Sequence, residues 1–240
     1  NTKQTYESII NKYNKKTLHK PKTDVVTSGQ KQKKIDPVRY ISNFSSGIQG
    51  YEIAKALRNA GARTTLISGP TKLDQPLGMK FKKAETGKEF LNHSLTELPA
   101  DIYISVAAIA DWKIENISKQ KIKKNKQSNI TLKFSKNTDV LYEVSKNNKR
   151  PSLVIGFAAE TENLVENAKK KLLKKKCDWI IANIVSDKLG FDEIDNKVTI
   201  VKEDMIIEWP SLSKLNIAEK LVLEISEYFS KVKKEFLCQK

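Results

Sequence analysis

Three continuous apolar runs, each about the length of one β-strand, most constrain the fold of this chain. They are DIYISVAAIA (101–110), SLVIGFAA (152–159) and DWIIANIV (178–185). A strand with one solvated face alternates apolar and polar residues, whereas a strand buried on both faces is apolar throughout. Runs of this kind, separated by helical patterns, predict a parallel sheet covered by helices on both faces.

The remaining segments extend this alternation of strands and helices. DVVTS (24–28) predicts a short buried strand, residues 30–46 a loop, and residues 47–60 a helix. Gly61 follows that helix as a residue that adopts positive φ without strain. Further strands are predicted at 62–68 and 129–135, and further helices at 87–97, 162–176 and 213–229. Another helix is predicted to start at Asn137-Thr138-Asp139, with Asn137 as its cap. A hairpin is predicted to turn at Glu203-Asp204. The last helix is expected to bury Leu215, Ala218, Leu221, Val222 and Ile225.

These elements together predict an α/β fold, a Rossmann-like, doubly wound, mostly parallel sheet with a small β-hairpin extension. Residues 1–21 are interpreted as a lysine-rich arm or linker, residues 22–230 as the folded domain and residues 231–240 as a basic tail. Apolar runs stay well below the roughly 20 residues of a membrane helix, and no secretory signal pattern is present. Two cysteines and two histidines predict neither a disulfide framework nor a histidine metal site, and a cytoplasmic location is expected.

The net charge of +16 raises the question of nucleic-acid binding, but the distribution of charge argues against it. Residues 1–34 carry a net +7 and residues 231–240 a net +3, so most of the excess lies at the two ends. Only four of the 44 basic residues are arginine, the side chain suited to bidentate phosphate and base contacts. Nucleic acid is therefore an unlikely partner, and binding through the basic ends is kept as a lesser alternative.

The segment SNFSSGIQG (42–50) concentrates small polar residues and glycines just before a predicted helix. Helix amino termini attract anions, and in parallel sheets ligands bind beyond the carboxyl ends of the strands, where this loop lies. Two interpretations stay open: an anion site, or an ordinary turn in which Ser45 or Ser46 caps the helix. A dinucleotide site fits poorly, because the loop contains no G-x-G-x-x-G and TTLIS is followed by no acidic residue.

Three blocks in this order resemble the bacterial phosphopantothenate–cysteine ligase family of coenzyme A biosynthesis: DPVRYISNFSSG (36–47), AAIADW (107–112) followed by KIKK (121–124), and GFAAET (156–161). The resemblance covers roughly residues 24–230. It implies a CTP-dependent ligation of 4′-phosphopantothenate to L-cysteine through an acyl-cytidylate, with Mg²⁺ or a similar divalent cation. It also implies a homodimer, and a phosphopantothenoylcysteine decarboxylase encoded separately or upstream as a functional partner.

The resemblance assigns roles to individual residues of the motifs. Asn43 and Lys121 match the catalytic asparagine and the lysine that stabilises the triphosphate. Arg39 is expected to meet the substrate phosphate and Ala108 to lie against the intermediate. The alternative for Arg39 is a surface ion pair with Asp36.

A second group matches the nucleotide-binding positions of the family. Its members are Ser105, Val106, Ala107, Asp111, Ser135, Lys136, Asn137, Thr138, Phe157, Lys171 and Lys175. Four of them have a simpler alternative: Asp111 as a turn residue, Phe157 as core packing, and Lys171 and Lys175 as part of a solvated basic helix face. No metal ligands are predicted.

The stretch SGQKQKK (28–34) departs from the family pattern T-x-E-P. Lys31 stands in place of threonine, and Lys33-Lys34 stand in place of Glu-Pro. This reversal of charge beside the expected site leaves a second hypothesis open, a nucleotide-binding relative with impaired turnover.

Overall fold

A computed structural model describes residues 22–43, 45–108, 112–123, 130–185 and 195–238, with side chains described as far as residue 232. Its central feature is an eight-stranded sheet in the order β12-β11-β10-β9-β6-β1-β4-β5. β11 is antiparallel to both of its neighbours, β10 and β12, and all other neighbouring strands are parallel. The strands are β1 (Thr23–Ser28), β4 (Arg63–Ser68), β5 (Lys80–Lys83), β6 (Ile102–Ser105), β9 (Leu153–Glu160), β10 (Trp179–Ile184), β11 (Asp195–Lys202) and β12 (Ile206–Ser213). The predicted doubly wound α/β fold is confirmed.

Two small hairpins and five helices complete the described part of the chain. The hairpins are β2 (Gln32–Asp36) with β3 (Arg39–Ser42), and β7 (Trp112–Ile114) with β8 (Phe134–Lys136). The helices are α1 (Ile48–Asn59), α2 (Gly87–Thr96), α3 (Val140–Ser145), α4 (Leu164–Lys175) and α5 (Lys214–Cys238). None of the helices within the described ranges combines the length and apolarity needed to cross a membrane.

Helices cover both faces of the sheet, and this explains why its strands are apolar throughout. Neighbouring residues of β1 point to opposite faces, so Val26 packs with Leu57 of α1 and Leu221 of α5, while Val25 packs with Phe90 of α2 on the other side. All five side chains are at most 2% exposed. Burying a side chain of this size stabilises the fold by roughly 1.5–3 kcal/mol, so both helical layers are held by the same sheet.

Most predicted elements are confirmed with small changes of boundary. The predicted helix 47–60 is observed as Ile48–Asn59, and Gly61 follows with a φ of +91°. The hairpin expected at Glu203-Asp204 is formed by β11 and β12. The closing helix extends to Cys238 rather than ending at residue 229, because its apolar spacing continues. The division of the chain at residues 21 and 230 stays a prediction.

The loop predicted for residues 30–46 is wrong in its first part, where β2 and β3 form a hairpin. The Asp36 carboxylate accepts hydrogen bonds from the backbone amides of Val38 and Arg39, both at 2.9 Å, and so closes a tight turn. β2 is polar, with two lysines, and β3 has only four residues, so neither contains the continuous apolar run by which the buried strands are predicted.

Three smaller predictions are also wrong. The cap of α3 is Asp139, whose carboxylate accepts from the Tyr142 amide at 3.1 Å, and not Asn137, because the helix begins later than predicted. The strand predicted at 129–135 is limited to Phe134–Lys136 within the described residues. Leu215 is 46% exposed because it lies at the start of α5, outside the face that packs on the sheet.

Candidate active site

Two adjacent cavities lie at the carboxyl edge of the parallel strands, where ligands bind in folds of this class. The first has a volume of about 580 Å³ and the second about 510 Å³. Ala107, Phe157 and Lys171 line both. The two cavities therefore meet at a shared wall formed by the end of β6, by β9 and by α4.

The first cavity contains the polar loop before α1. Asn43, Ser45, Ser46 and Gly47 line it together with Ala108 and its neighbours after β6. The N-cap residue of α1 is Gly47, at a φ of +80°, so the N-cap position provides no side-chain hydrogen bond to the helix. The alternative in which Ser45 or Ser46 takes the N-cap position is therefore wrong, and the first turn of α1 contains no acidic residue.

The start of α1 is fixed against the end of β1. Ser28 Oγ donates a hydrogen bond of 2.7 Å to the Gly47 carbonyl. A Cβ at Gly50 would stand 2.3 Å from the same Ser28 oxygen, so only glycine allows this approach. Since β1 is a central strand of the sheet, the polar loop is held on a rigid support.

The segment after β6 is also tied to β1. The amides of Val106 and Ala107 donate to the backbone carbonyl and hydroxyl of Thr27, and the Ala108 amide donates to the Gly29 carbonyl at 3.0 Å. These three donors are engaged within the protein. A nucleotide contact through the backbone of this segment would consequently use carbonyl oxygens as acceptors.

The second cavity gathers six of the predicted nucleotide-binding residues in addition to Ala107. It is lined by Ser105, Asn137, Thr138, Phe157, Lys171 and Lys175, besides Ala107. Ser135 and Lys136 belong to β8 and line neither cavity. Asp111 lies outside the described residues, so neither its predicted role nor its alternative as a turn residue is tested.

Phe157 takes part in core packing, the simpler alternative given for it, and its contact with a nucleotide stays a prediction. It is a half-buried residue of β9 that packs against the core cluster, and it also lines both cavities. Its carbonyl accepts a hydrogen bond of 3.0 Å from Lys171 Nζ. The aromatic ring is therefore positioned at the junction of the two cavities.

The two predicted lysines of α4 do not belong to its solvated face. Lys175 is 12% exposed in its side chain and forms an ion pair with Asp139, the cap of α3. Lys171 points to the Phe157 carbonyl. By contrast, Lys170 is 70% exposed and pairs with Glu166 along the same helix. The simpler alternative of a wholly solvated basic face is thus wrong for Lys171 and Lys175.

The hairpin residue Arg39 lies outside both cavities. Its Nε donates to the Asp36 carboxylate at 2.9 Å, and its Nη2 donates to the Ile122 carbonyl at 2.9 Å. The structure thus contains the ion pair given as the alternative for Arg39, and contact with the substrate phosphate stays a prediction. Lys121 is exposed next to Ile122 and lines neither cavity.

Asp36 is a residue whose importance the sequence did not reveal. Its buried carboxylate also accepts from the Ile122 amide at 3.1 Å. The hydrogen bond from the Arg39 side chain and those from the Val38 and Ile122 amides hold its pKa well below the ordinary range. Asp36 therefore joins the hairpin to the segment that carries Lys121. In the sequence, only the Asp36-Pro37 pair indicated a turn at this position.

The three lysines that replace the family pattern have three different environments. Lys31 is 5% exposed, and burial, followed by the charges of Lys33 and Lys113, lowers its pKa to about 8. Lys33 lines the first cavity, whereas Lys34 is exposed and pairs with Glu85 at 3.0 Å. The departure from the family pattern is thus accommodated in the fold.

Sequence comparison gives an independent result. Residues 19–229 match the family described as DNA/pantothenate metabolism flavoprotein C-terminal domain. The chain is also 37% identical over 216 residues to the coenzyme A biosynthesis bifunctional protein CoaBC of Borreliella burgdorferi, covering 89% of this chain and 55% of that protein. The chain thus spans about half the length of the curated relatives it matches.

Two solved structures share the fold. The crystal structure of the C-terminal domain of coenzyme A biosynthesis bifunctional protein CoaBC has a TM-score of 0.74 and 32% identity, covering 88% of this chain and 96% of that chain. A Cab2 mutant, H337A, in complex with phosphopantothenate-cysteine has a TM-score of 0.69 and 12% identity, covering 97% and 96%. At that identity the second similarity concerns the fold alone.

Proposed function

Because the chain belongs to the DNA/pantothenate metabolism flavoprotein C-terminal domain family, as its motifs predicted, we propose that it ligates 4′-phosphopantothenate to L-cysteine. The reaction consumes CTP, passes through an acyl-cytidylate and yields 4′-phosphopantothenoylcysteine in the cytoplasm. The product is the substrate of a phosphopantothenoylcysteine decarboxylase, which is the expected functional partner, encoded separately or upstream.

The observation that carries the proposal is the meeting of the two cavities. Asn43 lines one cavity and Ser105, Asn137 and Lys175 line the other, with Phe157 at their junction. An acyl-nucleotide has two halves joined at one reacting phosphate, and it would need two such compartments with a common wall. The first cavity is assigned to the acid and the second to the nucleotide.

The proposed reaction consists of two half-reactions. A carboxylate oxygen of 4′-phosphopantothenate attacks the α-phosphorus of CTP, an O–P bond forms and pyrophosphate leaves. The cysteine amine then attacks the acyl carbon, the amide bond forms, and CMP leaves with the electrons of the broken C–O bond while the amine gives up a proton. Positioning and stabilisation of developing charge supply most of the catalysis in chemistry of this kind.

Asn43 is suited to the second half-reaction. Its amide can donate a hydrogen bond to the acyl carbonyl or phosphate without a change of protonation state. It is exposed and borders the first cavity near the amino terminus of α1. Ala108, in the same cavity, leaves room for the intermediate because its side chain is a single methyl group.

The triphosphate is expected to arrive with Mg²⁺ or a similar divalent cation. Within the described ranges, no group of three or more His, Cys, Asp or Glu side chains could hold a metal ion. Mg²⁺ usually keeps several waters and binds substrate phosphates. We therefore assign its ligands mainly to phosphate oxygens and water, and name no protein ligand.

Lys121 and Arg39 enter the proposal through a homodimer. Both lie on the extension formed by the two hairpins and line neither cavity of their own protomer. The same extension exposes large apolar residues, among them Val38 at 60% and Tyr40 at 51%. Exposed apolar patches mark interaction surfaces, and we place the dimer contact there, with Lys121 reaching the nucleotide of the partner protomer.

Pyrophosphate release tests the proposed reaction. The protein would be incubated with 4′-phosphopantothenate and either CTP or ATP, with and without cysteine. Release with CTP in the absence of cysteine is expected, because activation precedes amide formation. Release that requires cysteine would contradict the acyl-cytidylate, and release with ATP alone would contradict the choice of nucleotide.

A second candidate is a nucleotide-binding relative whose turnover is impaired by the altered SGQKQKK stretch. The burial of Lys31 beside the charges of Lys33 and Lys113 favours it, since burying a lysine disfavours its charged form. The double substitution Lys31→Thr with Lys33→Glu restores the family residues. A large gain in turnover would support this candidate, whereas a loss of turnover would exclude it.

A further inference from the structure

Three lysines from three separate elements line the first cavity. They are Lys33 of β2, Lys171 of α4 and Lys214, the first residue of α5. No Asp or Glu is found among the described residues that line the same cavity. Three ammonium groups around a space without carboxylates give it a strongly positive potential, which concentrates anions.

Lys214 is the most deeply placed of the three. It is 8% exposed, although it lies next to Leu215, which is 46% exposed. Its carbonyl accepts a hydrogen bond of 3.1 Å from Gln49 Nε2, in the first turn of α1. This contact fixes the start of α5 beside the start of α1, so Lys214 and the Asn43 loop border the same space.

Lys33 is held at the opposite rim by the hairpin. It pairs with Ile41 across β2 and β3, and its Nζ lies 6.0 Å from the centre of the Phe134 ring. Lys33 is only half-buried, in contrast to the buried Lys31, which directly precedes β2. Lys33 therefore adds a positive charge to the rim of the first cavity.

We propose that Lys33 and Lys214 bind the terminal phosphate of the acid substrate, a phosphomonoester dianion, and thereby determine specificity for the phosphorylated acid. The inference rests on the proposed function, which assigns the acid to the first cavity. Neither residue lines the second cavity, which is lined instead by Lys170, Lys171, Lys174 and Lys175 of α4. Lys171 lines both cavities, so it is not assigned to the terminal phosphate of the acid.

This assignment gives the altered SGQKQKK stretch a positive function. Lys33 supplies a cation to the phosphate of the acid, while Arg39, the residue predicted for that contact, is engaged by Asp36 and Ile122. Charge-assisted hydrogen bonds to phosphate are stronger than neutral ones. The lysine is thus a gain in substrate binding rather than damage to the site.

Isothermal titration with three separate ligands tests the inference: 4′-phosphopantothenate, pantothenate and CTP. The variants are Lys33→Gln and Lys214→Gln, and the matched control is Lys34→Gln, which removes the same charge one residue from Lys33 but outside both cavities. Thermal unfolding checks that each variant is folded. Lys214→Arg keeps the charge if Lys214→Gln fails to fold.

Each of the two variants is expected to weaken 4′-phosphopantothenate binding about tenfold, the order of one charge-assisted contact. Binding of pantothenate and CTP should change less than about twofold, as should all three affinities in the control, because exposed charges are screened. An equal loss for CTP would transfer the two lysines to the triphosphate and overturn the inference. Unchanged binding of 4′-phosphopantothenate in both variants would also overturn it. In that case the proposed function would still stand if the wild-type protein turns over CTP. Failure of the wild-type protein to bind 4′-phosphopantothenate at all would refute both.

Discussion

The doubly wound sheet and the extension formed by its two hairpins are built on different principles. In the sheet, side chains such as Val26 and Leu57 are fully buried between layers, and the carboxyl edge presents two preformed cavities. In the extension, Val38 and Tyr40 are exposed, and a single buried carboxylate, Asp36, joins the pieces. In the proposed function the sheet positions both substrates through these cavities, whereas the extension exposes an apolar surface to which the dimer contact is assigned.

The largest effect is expected from Asn43→Ala, which tests the sheet side of this comparison. Amide formation should fall by about two to three orders of magnitude, the loss typical of one removed oxyanion donor. Pyrophosphate release without cysteine should be nearly unchanged, because the first half-reaction does not need this donor. Separate assays of pyrophosphate and of ligated product check both expectations, and unchanged product yield would refute the role of Asn43.

A mixing experiment tests whether the extension serves the partner protomer. Asn43→Ala and Lys121→Ala proteins should each be nearly inactive alone. After mixing and subunit exchange, half of the dimers would combine one subunit of each kind and contain one intact site, so about a quarter of the wild-type activity should return. An equal mixture of wild-type and Asn43→Ala protein is the control for damage during mixing, because it should keep half of the wild-type activity whether or not subunits exchange. Absence of recovery despite proven exchange would place Lys121 in the site of its own protomer.

The exposed apolar residues of the extension should control dimerisation. Val38→Ser with Tyr40→Ser is expected to weaken the dimer about tenfold or more, since it removes apolar area worth roughly 1–3 kcal/mol from the contact. Analytical ultracentrifugation measures the change. The double variant Leu77→Ser with Leu173→Ser is the control, because both leucines are highly exposed but lie outside the extension. Equal dissociation of wild-type and variant would contradict the assigned interface.

The opposite end of β1 offers a smaller effect on stability alone. Both Asp24 carboxylate oxygens are buried without a hydrogen-bond partner, and burial, reinforced by Asp101, raises its pKa to about 8. The folded state therefore keeps a proton that the unfolded state loses above about pH 4. Stability should fall as pH rises from about 4 to 8, because folding takes up that proton over this range.

Asp24→Asn removes this cost without adding a charge. The variant should unfold at a higher temperature than the wild type near pH 8, by a few degrees, and the difference should shrink towards pH 4. Activity should be retained, since Asp24 lines neither of the two cavities of the site. A difference in melting temperature independent of pH would show that the side chain does not titrate as described.

The sheet was more predictable from the sequence than the extension formed by the two hairpins. Continuous apolar runs identified the strands of the sheet, because burial on both faces leaves a strong signal, and the carboxyl-edge rule located Asn43, Ser105 and Phe157 near one another. The hairpin of β2 and β3 was missed because β2 is polar and β3 has only four residues, so neither contains a continuous apolar run. Its turn depends on one carboxylate, Asp36, whose contacts arise only in three dimensions.

The charged residues of the site were the least predictable. Lys214 gave no sequence signal, since one lysine among 40 in this chain carries little information. Only the folding of α5 against α1 brings it to the first cavity. Lys121 was found through the family motif, yet the folded protomer leaves it on the extension. The motif therefore assigned a role to Lys121 without indicating where the fold would place its side chain relative to the two cavities.

The most direct test of the central claim is a crystal structure of the protein with CTP, Mg²⁺ and 4′-phosphopantothenate in the absence of cysteine. We predict density for an acyl-cytidylate with its pantothenoyl half in the cavity of Asn43, its cytidine in the cavity of Ser105 and Asn137, and Phe157 between them. Density for both halves in a single cavity, or away from Asn43, would contradict the account.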